Sequence, residues 1–361
     1  MRFRHGMVVG KFYPPHAGHH HLIDVALDRC DRLTVVVAPS STESIPLDQR
    51  CAWLREAHPR ATVVGIYDDT PVDYDDEDIW DVHCRIFRTA LDSDPIDSDP
   101  IDGGVIDAVF SSEAYGAELA RRFDAEHVSV DPGRLSKPIS GTAVRADPVG
   151  HWPHIGPGAR AWFTRRVIAV GAESTGTTTI TRALAEAFAA RGGVWSSTQW
   201  IPEYGRELTE RKLAAMPASA TVFDVQWDRA DFIAVATEQN RAEDAAARIG
   251  SPVLFGDTDA FATSIWEERY LGSASDAVRR LARRPDLYLL TGHAGIPFED
   301  DGLRDGEHIR EWMTGRFRDE LPQLGVPVIE LSGPHDARLA DAISAVDALL
   351  DSGWHLAEPL G

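Results

Sequence analysis

Short apolar runs and amphipathic, helix-length stretches alternate along this chain. In the first half, the apolar runs at residues 7–10, 33–37, 62–67, 108–111 and 127–130 read as strands. Helical periodicity lies between them, near residues 19–30, 47–57, 79–91 and 114–124. That alternation predicts a parallel, doubly wound sheet. Residues 148–158, rich in Pro, Gly and His, mark a boundary. A second series then begins at Arg166, with strands near 167–171, 195–201, 253–257, 286–291 and 326–331. Its helices are expected near 178–190, 222–249, 258–270 and 337–350, the long one Ala- and Glu-rich with one apolar side. The fold class is therefore α/β, with two doubly wound parallel-sheet domains at residues 1–150 and 165–361. Residues 92–102 repeat acid, Ser and Pro in tandem and are too polar for a core, so they read as a mobile surface loop.

Composition narrows the classes further. The chain has 361 residues, more than one core usually serves, and its 43% hydrophobic content excludes wholesale disorder. A net charge of −21 disfavours nucleic acid or an anionic membrane as partner. No run of 18 apolar residues and no signal-peptide core occurs, and no helix-turn-helix precedes the first strand. Cys30, Cys51 and Cys84 lack C-x-x-C spacing, which argues against a disulfide framework or zinc site and fits a reducing, cytoplasmic setting. The pattern is compatible with a homo-oligomer.

The first chemical signal is Gly10-Lys11-Phe12-Tyr13-Pro14-Pro15-His16-Ala17-Gly18-His19, at the end of the first expected strand and the start of a helix. Backbone N–H groups and two imidazoles converge there, with the positive end of a helix dipole behind them. Such a site suits attack by a phosphate on the α-phosphorus of ATP, with His16 and His19 bonding phosphate oxygens and Lys11 adding fixed charge. Near the other end of the domain, Ile139-Ser140-Gly141-Thr142-Ala143-Val144-Arg145 offers hydroxyls, a helix cap and an arginine. Thr142 and Arg145, three apart, share a helical face. His20 and His21 extend the histidine run, but three adjacent histidines at a helix start cannot all face one ion.

These two runs resemble the hallmarks of the nucleotidylyltransferase superfamily, H-x-G-H and a distal I-S-x-[ST]-x-x-R. The likeness is strongest to NadR-type nicotinamide-mononucleotide adenylyltransferases, through Gly10-Lys11-Phe12-Tyr13-Pro14 and Phe110-Ser111-Ser112-Glu113. The resemblance implies a Rossmann-like nucleotidylyltransferase domain, with Gly10, Phe12, Gly18, Ser140 and Thr142 binding nucleotide and Lys11, His16, His19 and Arg145 catalytic.

The second signal is Gly171-Ala172-Glu173-Ser174-Thr175-Gly176-Thr177-Thr178-Thr179, directly after the apolar run Val167–Val170. It has the spacing of a phosphate-cradling P-loop, G-x-x-x-x-G-K-[ST], with Thr177 in the lysine's place. Its amides would cradle phosphates, and Thr178 would hold Mg²⁺ together with Asp257, which ends an apolar strand in Asp257-Thr258-Asp259. Glu203-Tyr204-Gly205-Arg206-Glu207 offers a base in Glu203 and a phosphate-facing cation in Arg206. A polar segment beginning Asp300-Asp301-Gly302-Leu303-Arg304 reads as a lid whose Arg304 and Arg310 close over the transferred group.

The E-Y-G-R-E, D-T-D and D-D-G-L-R runs, in this order, look like the ribosylnicotinamide kinase domain that follows the adenylyltransferase in NadR-type proteins. The resemblance covers nearly the whole chain. It implies a P-loop kinase-like second domain that phosphorylates nicotinamide riboside, with ATP and Mg²⁺ as cofactors and nicotinamide mononucleotide, nicotinamide riboside and ATP as small-molecule partners. The DNA-binding segment of some members has no counterpart here, which implies no repressor role.

Thr177 departs from that pattern. Only Lys11, Lys137 and Lys212 are lysines, against 33 arginines, so drift would more readily leave Arg than Thr. Losing one preorganised charged contact costs roughly 3–4 kcal/mol of transition-state stabilisation. Three readings stay open: an arginine such as Arg206, Arg304 or Arg310 takes over, the domain binds nucleotide only as a sensor, or it has lost affinity. The retained carboxylates and arginines favour nucleotide binding. For the pyridine ring, Trp53 and Trp80 are candidates in the first domain, and Trp200, Tyr204, Trp227 and Trp266 in the second. Trp200 is preferred, with Tyr204 and Asp259 as further substrate contacts. A nucleotidylyltransferase for another phosphorylated substrate, such as phosphopantetheine or a flavin mononucleotide, is the enzymatic alternative.

Overall fold

A computed structural model of the chain describes residues 2–93 and 105–360, so most of the acid-Ser-Pro repeat lies outside the described residues. The described chain divides into two compact units. One runs to Ala159 and takes in the segment from Trp354 onward; the other spans Arg160–Gly353. The last segment thus belongs with the first unit, unlike the expected 165–361 domain, because its backbone bonds Tyr13 and Ser44. The Tyr13 hydroxyl donates to the Ala357 carbonyl at 2.8 Å, and Ala357 N–H donates to Ser44 Oγ at 2.8 Å.

The first sheet contains β1 (Phe3–Gly10), β2 (Cys30–Val37), β3 (Thr62–Gly65), β4 (Ala108–Ser111) and β5 (Glu126–Ser129), all parallel, in the order β3-β2-β1-β4-β5. The strand order reverses between β1 and β4, which opens a crevice beyond their carboxyl ends. Both faces of the sheet are apolar. Val8, Val35 and Ile23 pack on one side, and Met7, Val36, Trp80 and Phe87 on the other. Gly6 in β1 has no room for a side chain, since a Cβ there would sit 2.4 Å from Cys30 Sγ.

The second sheet contains β6 (Arg165–Gly171), β7 (Gln199–Ile201), β8 (Val253–Asp257), β9 (Leu287–Thr291) and β10 (Val328–Leu331), again parallel, in the order β10-β9-β6-β8-β7. Its core divides likewise, Val167, Phe188 and Phe255 on one face and Ile168, Tyr288 and Phe317 on the other. The expected strand at 195–201 is only three residues long, because Gly193–Ser197 forms a 3-10 turn first. The expected long helix starts at Arg229 rather than 222. Asp228 and Asp231 form a reciprocal capping box there, satisfying N–H groups that the first turn leaves open. Two helices, Tyr204–Ala214 and Arg310–Glu320, carry no apolar stripe clear enough to announce them.

Candidate functional site

The crevice at the β1/β4 switch holds a cavity of about 330 Å³. Gly10, Lys11, Phe12, His16, Gly18 and His19 line one wall, and Ser112 and Glu113, just beyond β4, line another. His16 caps the helix Ala17–Arg29: its Nδ1 accepts the Gly18 N–H at 3.1 Å, which leaves the proton on Nε2. A side chain at Gly18 would press on the His16 ring at 3.0 Å. His16 and His19 stack with ring centroids 3.8 Å apart. Burial, helped by neighbouring histidines and Arg134, holds the His16 pKa down at about 3 and lowers that of His19. His19 Nδ1 is buried without a hydrogen-bond partner among the described residues. The pair therefore stands as two neutral imidazoles facing a cavity that would take an anion.

The distal run is brought to the first. Ser140 Oγ accepts the Ala143 N–H at 3.1 Å and starts the helix Gly141–Ala146. From that helix, Arg145 Nη1 donates to the Tyr13 carbonyl at 2.8 Å and Nη2 to Thr142 Oγ1 at 3.3 Å. The guanidinium also sits 4.9 Å from the Tyr13 ring centroid. Ile139 and Gly141 line the cavity, whereas Ser140, Thr142 and Arg145, expected to face the nucleotide, are not among its lining residues. A second set of wall residues had no sequence signal: Asp68, Tyr74, His83, Tyr115, Arg134 and Lys137. His83 Nδ1 and Asp68 Oδ2 lie 2.5 Å apart, and the Tyr74 and Tyr115 rings are parallel within 4° at 6.4 Å. They come from loops, the middle of the helix Glu77–Asp92 and the start of the helix Tyr115–Arg122, whose convergence only the sheet order determines. Of the two tryptophans expected near the ring, Trp80 lines this cavity and Trp53 instead abuts Gly158.

In the second unit, the loop from Gly171 to Gly176 joins β6 to the helix Thr177–Ala189. Ser174 and Gly176 adopt positive φ, 57° and 92°, and Gly176 does so without strain. Other elements hold the loop's carbonyls. Arg338 Nη1 donates to Thr175 O at 2.8 Å, and Arg310 Nη2 to Ser174 O at 3.1 Å. Thr175 itself is buried and bonds Ala172 O and Thr291 Oγ1, each at 2.7 Å, so it braces the loop.

A cavity of about 110 Å³ faces this loop, lined by Gly171, Glu173, Ser174, Thr177, Thr178, Glu203, Arg206, Asp257 and Arg304. Thr178 Oγ1 donates to Asp257 Oδ2 at 2.5 Å. Asp257 is buried, its Oδ1 has no hydrogen-bond partner among the described residues, and burial holds its carboxyl above the usual range. A hydroxyl beside an orphaned carboxylate oxygen is a hard-oxygen donor set, which fits Mg²⁺ completed by phosphate and water. Burial pushes Glu203 up to about 8, with the charges of Asp257 and Glu173 adding to the rise. The polar segment expected as a lid is laced to the loop. Glu299 N–H donates to Ser174 Oγ at 2.8 Å, and Gly306 N–H to Glu173 Oε2 at 2.7 Å.

Several expected site residues stand elsewhere. Trp200 donates its indole N–H to Thr181 Oγ1 at 3.0 Å and packs on the core, away from the cavity. Tyr204 takes the Arg211 guanidinium on its hydroxyl, and Thr179 is likewise not among the lining residues. Asp259 is buried as a helix cap, accepting the Ala262 N–H at 2.8 Å and the Tyr288 hydroxyl at 2.6 Å. Arg310, 8% exposed, spends its guanidinium on the Ile296 and Ser174 carbonyls and braces the loop from outside. The aromatics that do line this cavity are Trp227, Phe232, Trp266 and Tyr270.

Known proteins match both units. Residues 7–147 match a cytidylyltransferase-like family model, and residues 166–338 an AAA domain model. The trifunctional NAD biosynthesis/regulator proteins NadR of Salmonella typhimurium and Escherichia coli are each 26% identical to this chain, over 83% of it and 71% of their own length. Crystal structures of NadR protein in complex with NR, and with NAD and AMP-PNP, share the fold at 22% identity with TM-scores of 0.73 and 0.69. The first alignment covers 97% of both chains, and the second 99% of this chain and 98% of the other. The chain is thus similar to NadR in sequence over 83% of its length and in fold across both units.

Proposed function

We propose that this NadR relative makes NAD in two steps, phosphorylating nicotinamide riboside in the second unit and adenylylating the resulting mononucleotide in the first. The observation that carries the reading is the Arg145–Tyr13 bond, which joins two motifs 132 residues apart that both contribute residues to the switch-point cavity. A phosphate oxygen of the mononucleotide attacks the α-phosphorus of ATP there, the bond to the β-phosphate bridge breaks, and pyrophosphate leaves. His16, neutral and with its proton on Nε2, donates to a phosphate oxygen; His19 stacks behind it, and Lys11 supplies the permanent charge. The parallel Tyr74 and Tyr115 rings, beside Asp68, Asp73 and Glu113, suit a planar pyridinium cation.

In the second unit, the 5′-hydroxyl of the riboside attacks the γ-phosphorus of ATP and ADP leaves. Glu203, once ionised, takes the hydroxyl proton, and the aromatic wall of Trp227, Trp266 and Tyr270 seats the ring. Mg²⁺, held by Thr178 and Asp257, would neutralise charge on the β- and γ-phosphates. The lysine missing at Thr177 favours the other reading, a nucleotide sensor without turnover.

Pyrophosphate release from ATP and nicotinamide mononucleotide tests the first step. Activity that His19→Ala lowers on the order of 10²-fold supports it. No release, or release indifferent to His19, contradicts it.

A further inference from the structure

The charge that a P-loop normally places at position 177 has to come from somewhere if the second unit transfers a phosphoryl group. Most arginines around the loop are committed. Arg338, 3% exposed, serves the Thr175 and Gly292 carbonyls. Arg310 braces Ser174 from outside, and the Arg269 side chain, 7% exposed, is locked between Glu173 and Asp305. None of these lines the cavity.

Arg206 and Arg304 differ. Both line the cavity with Thr177, Thr178 and Asp257, yet they come from different elements, one from the helix Tyr204–Ala214 and one from the lid. Both lie against the same carboxylate oxygen: Arg206 Nη2 is 2.7 Å and Arg304 Nε 3.6 Å from Asp301 Oδ2. Arg304 Nη1 also reaches Ser174 Oγ, in the loop, at 3.4 Å. Their side chains remain 40% and 22% exposed, so the pair is open to exchange. Two guanidiniums converging on one anionic oxygen beside a phosphate loop form an anion seat that a side chain now fills.

We propose that Arg206 and Arg304 together carry the phosphate-neutralising charge that a lysine at position 177 would carry, with Asp301 holding the pair until a phosphoryl group displaces it. The inference rests on the kinase reading for its rate consequences, but its binding consequences are independent of turnover. A triphosphate offers the pair more charge than the exposed Asp301 carboxylate, so exchange follows ATP binding and draws the lid over the loop.

The test uses the full chain with Arg206→Ala, Arg304→Ala and Asp301→Asn, each with and without Thr177→Lys. ATP affinity is measured by calorimetry beside the rate of riboside phosphorylation. A thermal unfolding profile of the full chain unchanged from wild type reports that the second unit of each variant is folded. Either arginine variant is expected to lose rate on the order of 10²-fold and to bind ATP more weakly, and Thr177→Lys to restore roughly tenfold or more of that rate. Asp301→Asn is expected to tighten ATP binding, the opposite of what loss of a merely structural ion pair would do. Arginine variants equal to wild type, no rescue by Thr177→Lys, or weaker ATP binding in Asp301→Asn would each overturn the proposal. Absence of riboside phosphorylation in the wild type would sink the kinase reading alone; ATP affinity across the same variants would still decide the inference.

Discussion

In the first unit, most of the groups that would face phosphate come from one short run, Lys11 to His19, set by the end of β1 and the helix that follows. In the second, the corresponding groups come from four places: the loop after β6, Glu203 after β7, Asp257 at the end of β8 and the lid at Arg304. Both cavities lie beyond the carboxyl ends of parallel strands, so the sheets supply the same geometry. The difference lies in how charge is delivered. A compact motif cannot lose a member without a neighbour of the same run replacing it. A dispersed site can move a charge to another element, and Thr177 with the Arg206–Asp301–Arg304 cluster is the arrangement that such a move leaves.

The electrostatics diverge in the same way. The first unit holds His16 and His19 neutral, since burial keeps His16 near 3 and lowers His19. The second keeps Glu203 protonated at neutral pH, with its pKa raised to about 8. With Glu203 as the proposed base, phosphorylation needs its carboxylate, whose fraction grows as pH rises through 8. For the free enzyme, kcat/KM for riboside should therefore climb roughly tenfold per pH unit below 8 and level off above it. Glu203→Gln should remove the slope along with most of the rate. Adenylyl transfer should show no step from His16 or His19 between pH 6 and 8. A flat riboside profile, or a histidine step in adenylyl transfer, would break the contrast.

A smaller effect separates the aromatic walls. Trp266→Leu should raise the riboside KM about tenfold, the scale of one lost ring contact with a cation, and leave the mononucleotide KM of the first unit unchanged. Trp200→Phe, which alters a residue outside the cavity, should leave both unchanged. A riboside KM that follows Trp200 and not Trp266 would return the ring to the position the sequence favours.

The strand pattern carried the architecture because β1, β2, β4, β6, β8 and β9 each hold three or more consecutive apolar residues, as buried parallel strands do. β7 was misjudged because Trp195 packs against the core from a 3-10 turn, where its apolar side chain imitates a strand residue. Motif residues were legible wherever chemistry and local backbone coincide, as at His16, which caps a helix and faces a cavity with the same ring. Asp259 looked chemical and proved to be a cap, since an Asp after a strand serves either role. Tyr74, His83 and Tyr115 left no local trace, because only the crossover from β3 to β4 brings them together. Asp301 belonged to a recognised run, yet its two arginine partners are 95 and 3 residues away, a pairing no spacing rule encodes.

One measurement addresses both units at once. The full chain is supplied with nicotinamide riboside, ATP and Mg²⁺ alone, and the pyridine nucleotides are followed with time. The wild type should produce ADP, pyrophosphate and NAD, with nicotinamide mononucleotide passing through as an intermediate; His19→Ala should stop at the mononucleotide. Riboside left unconverted, with added mononucleotide still yielding NAD, would show that the second unit does not transfer phosphate and would contradict the two-step account.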